Sequence, residues 1–452
     1  MNVIIVGCGE VGRALAEQLN EEGNNITVVD PSVENLRAVT DGLDVMGVIG
    51  NGASHTTLLD AGIASADLLI AVTNSDELNL LCCIIAKKES DCRTIARVRN
   101  HQYSTEAAYL KEELGLAMVI NPERAAADEI ARVLRFPSAI GIEPFAKGRV
   151  ELIKFRLPEE SKLVGLSVRE AAEKFKSDVL FCAVEREDEA YIVKGDFIFR
   201  KKDVISIIAS PKSAEEFFRK IGYRTEAVKD ALIVGGDEIT HYLLEKMSPL
   251  GVALKVIAKD RATCEALSAE FPSVTVINGD TADQELMREE GVEGVGAFVA
   301  LTDSDEENIL ISLYGRSKTA GKVVTKIKRI EYNDIIEHLD LDTVVYPKHV
   351  VSDSIVRYVR ATQNTLGSNM ETLYHIIKGE VEASEFVIRE ASPIVGVPLF
   401  RLKLKPNVLV AAILRENNLK IPRGHDTIEV GDTVILVTGS MGLQDVTDVL
   451  ED

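Results

Sequence analysis

The sequence predicts an α/β fold in which a Rossmann-like, doubly wound parallel sheet occurs twice, each copy followed by a small α+β module. Three observations carry this prediction. The chain opens with a strand, a glycine-rich turn, a helix and a second strand that ends in an acid. Apolar strands and amphipathic helices then alternate, as in a parallel sheet covered by helices. The whole plan recurs in the second half of the chain.

The first element is the glycine turn and its flanking strands. Residues 2–6 form a short apolar run, typical of a strand buried in a parallel sheet. Gly7, Gly9 and Gly12 have the G-x-G-x-x-G spacing, which permits a tight turn, close approach to a pyrophosphate and close helix packing. Asp30 ends the next strand, where a carboxylate can bind ribose hydroxyls. We predict a dinucleotide or adenine-nucleotide site; the alternative is a Rossmann fold kept for structure alone.

The later strands of the first copy also end in polar residues. Strands are predicted over residues 45–49, 68–72, 94–98 and 116–120. In a parallel sheet the loops after the strands border one ligand crevice. Here those loops carry side chains suited to ribose, adenine and phosphate, namely Asn51, Thr73, Asn74, Arg97, Arg99 and Glu123. The alternative for each is capping or turn chemistry, strongest for Asn51 and Thr73 and weaker for the arginines.

An amphipathic helix over residues 125–136 leaves this copy. Ile130, Val133 and Leu134 form its apolar face, which must pack on something: a neighbouring copy of the fold or its own sheet. From about residue 139 the pattern changes to short strands with two helices among them. This change predicts the first small α+β module.

The second half repeats the plan. Gly235 follows an apolar run as Gly7 does, an offset of 228 residues, and the segment that ends at Asn308 matches the one that ends at Asn79. A period this long indicates domain duplication. The predicted domains are residues 1–136 (Rossmann-like), 139–222 (small module), 228–363 (Rossmann-like) and 368–452 (small module).

The second Rossmann copy has lost its glycine pattern. Asp237 replaces the second glycine, Thr240 the third, and Ala258 stands where the first copy has Asp30. A carboxylate at position 237 obstructs and repels a phosphate, and alanine cannot bind ribose hydroxyls. The second copy therefore either binds a different nucleotide weakly or serves the structure.

Composition and charge exclude several classes of protein. The net charge of −21 argues against nucleic acid and anionic lipid as partners. No apolar run reaches the length of about 18 residues that a spanning helix needs, so we expect no direct membrane insertion, and the N-terminus enters a strand at once, so we expect no signal peptide. Six cysteines without metal or C-x-x-C spacing predict reduced thiols in a cytoplasmic protein. Cys8 either senses oxidation or simply fits the turn.

An enzymatic role finds little support in the sequence. An NAD-dependent dehydrogenase, the main alternative, needs an acid–base residue near the nicotinamide. His55 and His101 are the only histidines in the first Rossmann copy, and neither belongs to a recognisable catalytic motif. The P-loop pattern G-x-x-x-x-G-K-[ST] does not occur. We therefore expect no catalytic and no metal-binding residues.

Several motifs together resemble the TrkA family, the cytosolic regulatory subunits of Trk potassium-uptake systems. They are Val-Gly-Cys-Gly-Glu-Val-Gly at residues 6–12, Ile-Thr-Val-Val-Asp at 26–30, Ala-Val-Thr-Asn-Ser-Asp-Glu at 71–77 and Ile-Ala-Arg-Val-Arg at 95–99, together with the duplication. Each half is similar to an RCK unit, a regulator-of-conductance-of-potassium domain with its small C-terminal partner. The resemblance covers essentially the whole chain.

The resemblance implies NAD(H) and ATP or ADP as ligands of the first half. Together with the glycine and loop patterns it gives the predicted contact residues Gly7, Cys8, Gly9, Glu10, Val11, Gly12, Asp30, Asn51, Thr73, Asn74, Arg97, Arg99 and Glu123. It also implies a homo-oligomeric ring, a tetramer, beneath a potassium-translocating membrane subunit of the TrkH/TrkG type at the inner face of the cell membrane. The remaining alternative is a regulator of another transporter, such as a potassium/proton antiporter.

Overall fold

Parallel and antiparallel sheets alternate along the chain. The computed structural model describes residues 1–451 except 101–102, 104–105, 188, 224, 329–335, 337–338, 340, 364–367, 378–379, 417, 440–441 and 444. Within these residues two six-stranded sheets each precede a five-stranded sheet. The duplicated α/β architecture predicted from the sequence is confirmed. No helix in the described part of the chain is long and apolar enough to cross a membrane.

The first sheet is parallel, with the strand order β3-β2-β1-β4-β5-β6. Its central strands are buried on both faces, which explains their continuous apolar sequence. The elements are β1 (Asn2–Val6), α1 (Glu10–Glu21), β2 (Asn25–Asp30), α2 (Val33–Thr40), β3 (Met46–Ile49), α3 (His55–Asp60), β4 (Leu68–Ala71), α4 (Asp76–Glu89), β5 (Arg93–Arg97), α5 (Ala107–Glu113) and β6 (Met118–Ile120).

The first small module has an antiparallel sheet of order β10-β9-β11-β8-β7. Helix α6 (Pro122–Arg135) leads into this module, which comprises β7 (Gly141–Phe145), β8 (Val150–Arg156), α7 (Val168–Phe175), β9 (Val179–Arg186), β10 (Glu189–Ile192), β11 (Val204–Ala209) and α8 (Pro211–Ile221). Helix α6 begins three residues before the predicted start, because the Asn121 side chain accepts a hydrogen bond from the Arg124 N–H and Pro122 occupies the first turn.

The second half has the same topology. Its parallel sheet has the order β14-β13-β12-β15-β16-β17 and its antiparallel sheet the order β18-β19-β22-β20-β21. The elements are β12 (Asp230–Val234), α9 (Glu238–Met247), β13 (Ala253–Ala258), α10 (Arg261–Glu270), β14 (Thr275–Asn278), α11 (Gln284–Glu289), β15 (Ala297–Ala300), α12 (Asp305–Lys318), β16 (Lys322–Lys326), β17 (Thr343–Val345), α13 (Pro347–Gln363), β18 (Ser368–Ile377), β19 (Val381–Ile388), β20 (Val408–Arg415), β21 (Asn418–Lys420) and β22 (Thr433–Gly439).

Two helices cross between the halves. The apolar face of α6, with Ile130, Val133 and Leu134 fully buried, joins the core of the second parallel sheet. Conversely, α13 buries Ile355 and Val359 in the core of the first parallel sheet. Of the two predicted alternatives for α6, packing on a neighbouring copy is confirmed, and that copy is the other half of the same chain.

The two small modules pack on each other through their sheets. Phe145 and Ile208 of the first share one apolar core with Val381 and Ile435 of the second. The Tyr374 hydroxyl donates to the Pro144 carbonyl oxygen at 3.1 Å. The two modules thus share one core, and α6 and α13 connect them to the two parallel sheets.

Candidate functional site

Polar residues from neighbouring strands meet at the carboxyl edge of the first sheet. Gly7 follows β1, Asp30 ends β2, Thr73 follows β4, Arg97 ends β5, and Glu123 lies in the first turn of α6. The strand order reverses between β1 and β4. A Cβ placed on Gly7 would lie 3.0 Å from the Thr73 backbone nitrogen, so these two loops border the crevice where such sheets bind ligands.

Glycine is required at the three positions of the turn for different structural reasons. Gly7 has a φ of +103°, and a Cβ on Gly12 would lie 1.8 Å from the Gly7 carbonyl oxygen. Gly9, by contrast, has an ordinary φ of −68°, and a Cβ there would meet no atom of the described residues within 4 Å. Asp237 holds nearly the same backbone angles in the second copy. Glycine at position 9 therefore serves to keep space open.

That space lies over the N-terminus of α1. Gly9 is the N-cap residue, and no side chain caps the helix there. The N–H groups of the first turn, which includes Glu10 and Val11, have no partner within their own helix. Such a helix end binds phosphate through its N–H groups and its dipole. The turn therefore fits the pyrophosphate of a dinucleotide or the phosphates of an adenine nucleotide.

Three hydrogen bonds from neighbouring residues hold the Asp30 carboxylate in place. Its side chain is buried, and its Oδ2 accepts the Cys8 N–H at 2.8 Å. Its Oδ1 accepts the Ser32 N–H at 2.8 Å and the Asn35 side-chain amide at 3.3 Å. Oδ2 retains a lone pair for a ligand hydroxyl, and the longer bond from Asn35 is the one that a second hydroxyl can replace.

The Cys8 thiol is not suited to redox sensing. Burial, together with the charge of Asp30, raises the pKa of Cys8 to about 12. The reactive form of cysteine is the thiolate, which is scarce when the pKa is this high. The structure therefore favours the alternative in which Cys8 fits the turn, where its N–H positions Asp30.

Arg97 and Glu123 form an ion pair at the far side of the crevice. The Arg97 Nη2 atom donates to Glu123 Oε1 at 2.7 Å, and the two side chains are only 11% and 18% exposed. Among the described residues, neither Arg97 Nε nor Glu123 Oε2 has a hydrogen-bond partner, although both atoms are buried. Buried polar atoms are normally paired. A phosphate oxygen suits the free Nε donor, and a hydroxyl suits the free Oε2 acceptor.

Asn79 organises the loop after β4 and was not among the predicted residues. It is fully buried, and its Oδ1 accepts the Thr73 N–H and hydroxyl at 2.8 and 2.7 Å. Its Nδ2 donates to the Arg97 carbonyl oxygen at 3.0 Å, which ties β4 to β5. Asn308 makes the equivalent bonds to Thr302 and Lys326. This repeat was visible in the sequence and could have identified Asn79.

The other predicted residues have local roles in the structure. The Arg99 guanidinium donates to the Asn74 carbonyl oxygen, and the Arg99 N–H donates to Asp76 Oδ2 at 2.9 Å. Asn51 accepts the Ala53 N–H at 2.9 Å in a turn after β3, two strands away from β1. Asn51 thus shows the turn chemistry given as its alternative, and its contact with a nucleotide stays a prediction.

The second copy fills the equivalent place with its own ion pair. The Asp237 carboxylate caps α9 by accepting the Thr240 N–H at 3.1 Å, and it pairs with the Lys326 ammonium. Lys326, at the position of Arg97, is fully buried. A Cβ on Gly236 would lie 2.9 Å from a Thr263 methyl carbon, so the space beside the turn is closed as well. This geometry favours the structural role for the second copy.

Comparisons with known proteins agree with the duplication. The family model of the TrkA-N domain matches residues 3–122 and 231–347, and that of the TrkA-C domain matches residues 152–222 and 383–451. The Trk system potassium uptake protein TrkA homolog 1 of Methanosarcina mazei is 33% identical over 448 residues, covering 96% of this chain and 97% of the relative.

Two solved structures show the same fold. The GsuK channel bound to NAD aligns with a TM-score of 0.64 and 16% identity, covering 99% of this chain and 78% of that one. GsuK bound to ADP aligns with a TM-score of 0.51 and 14% identity, covering 80% and 70%. At these identities the similarity establishes the architecture of the chain and no more.

Proposed function

This chain belongs to the TrkA family, and from that premise we propose that it is a nucleotide-sensing regulatory subunit that controls potassium uptake through a membrane partner. Its relative from Methanosarcina mazei is named for potassium uptake by the Trk system. The aligned GsuK structures contain NAD in one case and ADP in the other. NAD(H) and ATP or ADP are accordingly the proposed ligands.

The difference between the two copies of the fold carries the proposal. The first copy keeps an open helix N-terminus at Gly9 and a positioned carboxylate at Asp30. It also has two buried atoms, at Arg97 and Glu123, that find no partner among the residues that the structure describes. The second copy closes the equivalent space with the Asp237 side chain. A duplicated fold that keeps only one copy open supports a ligand for that copy. The residues predicted around the crevice remain the proposed contacts.

The crossing helix gives the ligand a route to the rest of the protein. Glu123 lies in the first turn of α6, and the apolar face of α6 is buried in the second half. A ligand shifts such an arrangement only by binding one state more tightly than another. A phosphate oxygen at Arg97 Nε, or a ribose hydroxyl at Glu123 Oε2, acts beside the start of the helix that joins the halves, and this contact is the proposed source of the difference in affinity.

Exposed apolar residues support assembly into a ring. Leu81 and Ile84 on α4 are 45% and 38% exposed, and Leu310, at the position of Leu81 in the second copy, is 67% exposed. A face of one copy that meets the equivalent face of the other copy in the next chain makes a head-to-tail contact, and such contacts generate a ring when the rotation between chains closes. We propose a homotetramer beneath a membrane subunit of the TrkH/TrkG type.

The role is proposed to be binding without turnover. His55 pairs with Glu89 at 3.0 Å between α3 and α4, and His101 lies outside the described residues. A dehydrogenase needs a proton donor beside the nicotinamide. A regulator of a potassium/proton antiporter would use the same nucleotide site, so the membrane protein that co-purifies with this chain separates the two regulatory alternatives.

Replacing Asp30 with alanine is expected to weaken NADH and ATP binding. Loss of a charged hydrogen bond costs about 1.5–3 kcal/mol, which corresponds to roughly 10- to 150-fold in affinity. Titration calorimetry on the full chain measures this loss and should also give one nucleotide per chain for the wild type. Asp260→Ala, which removes a carboxylate just after β13 in the second copy, is the matched control. Equal affinity of wild type and Asp30→Ala for both ligands would refute the site.

A further inference from the structure

A tyrosine from the second half reaches the nucleotide site of the first. Tyr242 lies on α9 and is fully buried. Its hydroxyl donates to the Arg99 carbonyl oxygen at 2.8 Å and accepts the Asn121 side-chain amide at 2.9 Å. The same amide also donates to the Arg99 carbonyl oxygen at 3.3 Å. One hydroxyl from the other half therefore joins two segments of the first copy.

These two segments carry the ion pair at the crevice. Arg99 follows Arg97 by two residues, and Asn121 precedes Glu123 by two residues. The strands already bring these segments together, because the Val98 N–H donates to the Ile120 carbonyl oxygen at 2.9 Å. The hydroxyl adds a further contact between the end of β5 and the start of α6, and the spacing of these two segments sets how the Arg97 and Glu123 side chains direct Nε and Oε2 at a ligand.

The duplication provides an internal comparison for this contact. The second crossing helix, α13, packs on α1 much as α6 packs on α9. At the position of Tyr242, with the offset of 228 residues, α1 has Ala14, which carries no hydroxyl. The fold therefore forms this kind of helix interface without a tyrosine. Within the part of the chain that the structure describes, this bridge is seen at the α6–α9 interface, beside the open crevice.

We propose that Tyr242 is a positioning residue of the first nucleotide site, supplied by the second half, through which bound nucleotide and the α6–α9 interface influence each other. This inference rests on the proposed function. The ligand is an adenine nucleotide whose phosphate or second ribose reaches Arg97 and Glu123. Coupling between two sites is reciprocal. The free energy by which the Tyr242 bridge strengthens nucleotide binding therefore equals the free energy by which bound nucleotide stabilises the α6–α9 interface.

Further contacts hold α9 against α6 without the hydroxyl. The Arg124 guanidinium lies over the Tyr242 ring, 5.7 Å from its centre, and Lys246 on α9 pairs with Asp128 on α6. Phenylalanine keeps the ring and these contacts. The Asn121 amide can still bond to the Arg99 carbonyl oxygen. Tyr242→Phe is therefore expected to fold and to remove only the bridge.

The test compares wild type, Tyr242→Phe and Tyr223→Phe in the full chain. The Tyr223 hydroxyl also donates to a backbone carbonyl oxygen, that of Arg156 at 3.0 Å, but within the first small module. Calorimetry with ATP and NADH should show a loss of about 3- to 10-fold for at least one ligand in Tyr242→Phe. Tyr223→Phe should bind as the wild type does.

Hydrogen exchange provides a readout that a purely structural role would not move. In the wild type, nucleotide should slow exchange of the α9 amides, and Tyr242→Phe should lose this protection while Tyr223→Phe keeps it. Asn121→Ser, which retains a capping oxygen but lacks the amide, should behave like Tyr242→Phe. If wild type binds nucleotide and Tyr242→Phe matches it in affinity and in α9 protection, this inference alone is overturned. If wild type binds neither nucleotide, the proposed function falls with it.

Discussion

Replacing Arg360 with methionine is expected to lower the free energy of unfolding by about 3–5 kcal/mol, the usual cost of breaking a buried ion pair. Arg360 on α13 is almost fully buried. It binds Glu22, just after α1, through two hydrogen bonds, and Glu382 on β19 through two more at 3.1 Å. Its loss leaves the buried Glu382 carboxylate without its main counter-charge.

The repeat offers a matched control for this substitution. Arg135 on α6 pairs with Glu151 on β8 in the corresponding place, but its side chain is 56% exposed. Arg135→Met should therefore cost clearly less than Arg360→Met. Urea unfolding, followed at the first transition of each variant, measures the difference. Arg360→Met combined with Glu382→Gln should recover part of the loss, and equal losses for the two arginine variants would contradict the assignment.

The second large effect concerns a cavity between the halves. The cavity has a volume of about 240 Å³ and is lined by charged side chains from both crossing helices and from β7, namely Asp128, Glu129, Arg132, Glu143 and Asp353. Burial raises the pKa of Glu143 to about 8, and the charge of Glu129 adds to this effect, while Arg132 opposes it. Burial also raises the pKa of Glu129, to about 7.

These shifts fix the direction of a pH dependence. A carboxyl group with a raised pKa in the folded state stabilises the fold at low pH, where it is protonated in both states. As pH rises from about 4.5 towards 8, the unfolded chain loses the proton first, so the unfolding free energy falls. Glu129 and Glu143 should therefore make the free energy of unfolding smaller at pH 8.5 than at pH 5.

Glu143→Gln should remove most of this pH dependence, because glutamine resembles the protonated acid. We expect the variant to exceed wild type by about 1–3 kcal/mol at pH 8.5 and to match it near pH 5. This range is below the full conversion of the shift, because 30% of the Glu143 side chain is accessible and water reduces the penalty. Urea unfolding at both pH values provides the measurement. Glu159→Gln, at an exposed pair with Lys201, is the control; a variant no more stable than wild type at pH 8.5 would contradict the assignment.

The sequence predicted those features correctly that depend on residues close together in the chain. The parallel sheet was predicted from apolar runs that alternate with amphipathic helices, and the duplication from the segments that match at an offset of about 228 residues. The glycine spacing and Asp30 predicted the open turn, because backbone angles and a nearby acid are local properties. In the second copy Asp237 stands where the first copy has Gly9, and this replacement likewise predicted that a side chain would fill the space beside the turn. The limits of the four domains stay a prediction.

What escaped prediction depends on contacts between distant segments. The apolar face of α6 showed that a partner was needed, but periodicity does not say which surface supplies it. Tyr242 resembles any core aromatic until α9 is placed beside Asn121. Arg360 becomes informative only when Glu22 and Glu382 meet it from two different domains. The strands predicted for the first small module, at residues 150–157, 179–184, 190–193 and 204–208, also did not include β7, because its sequence Gly-Ile-Glu-Pro-Phe has little strand character.

Nucleotide bound in the first copy is expected to change the arrangement of the two parallel-sheet units. All six cysteines are buried, so spin labels can be attached selectively to introduced ones. Ala38 on α2 and Ala266 on α10 are exposed and occupy equivalent positions in the two copies. A second pair, Glu173 and Lys403, lies on the two small modules, which share a core and should keep a fixed distance.

The decisive measurement is the distance distribution between labels on Ala38→Cys and Ala266→Cys, by pulsed electron spin resonance, without ligand and with NADH, ATP or ADP. We expect at least one nucleotide to shift this distribution, with ATP and ADP differing, and we expect no shift when Asp30→Ala is added. The Glu173→Cys and Lys403→Cys pair should not change. If the sheet-to-sheet distance is the same in all ligand states, although calorimetry shows that nucleotide is bound, the chain is a passive scaffold and the gating account is wrong.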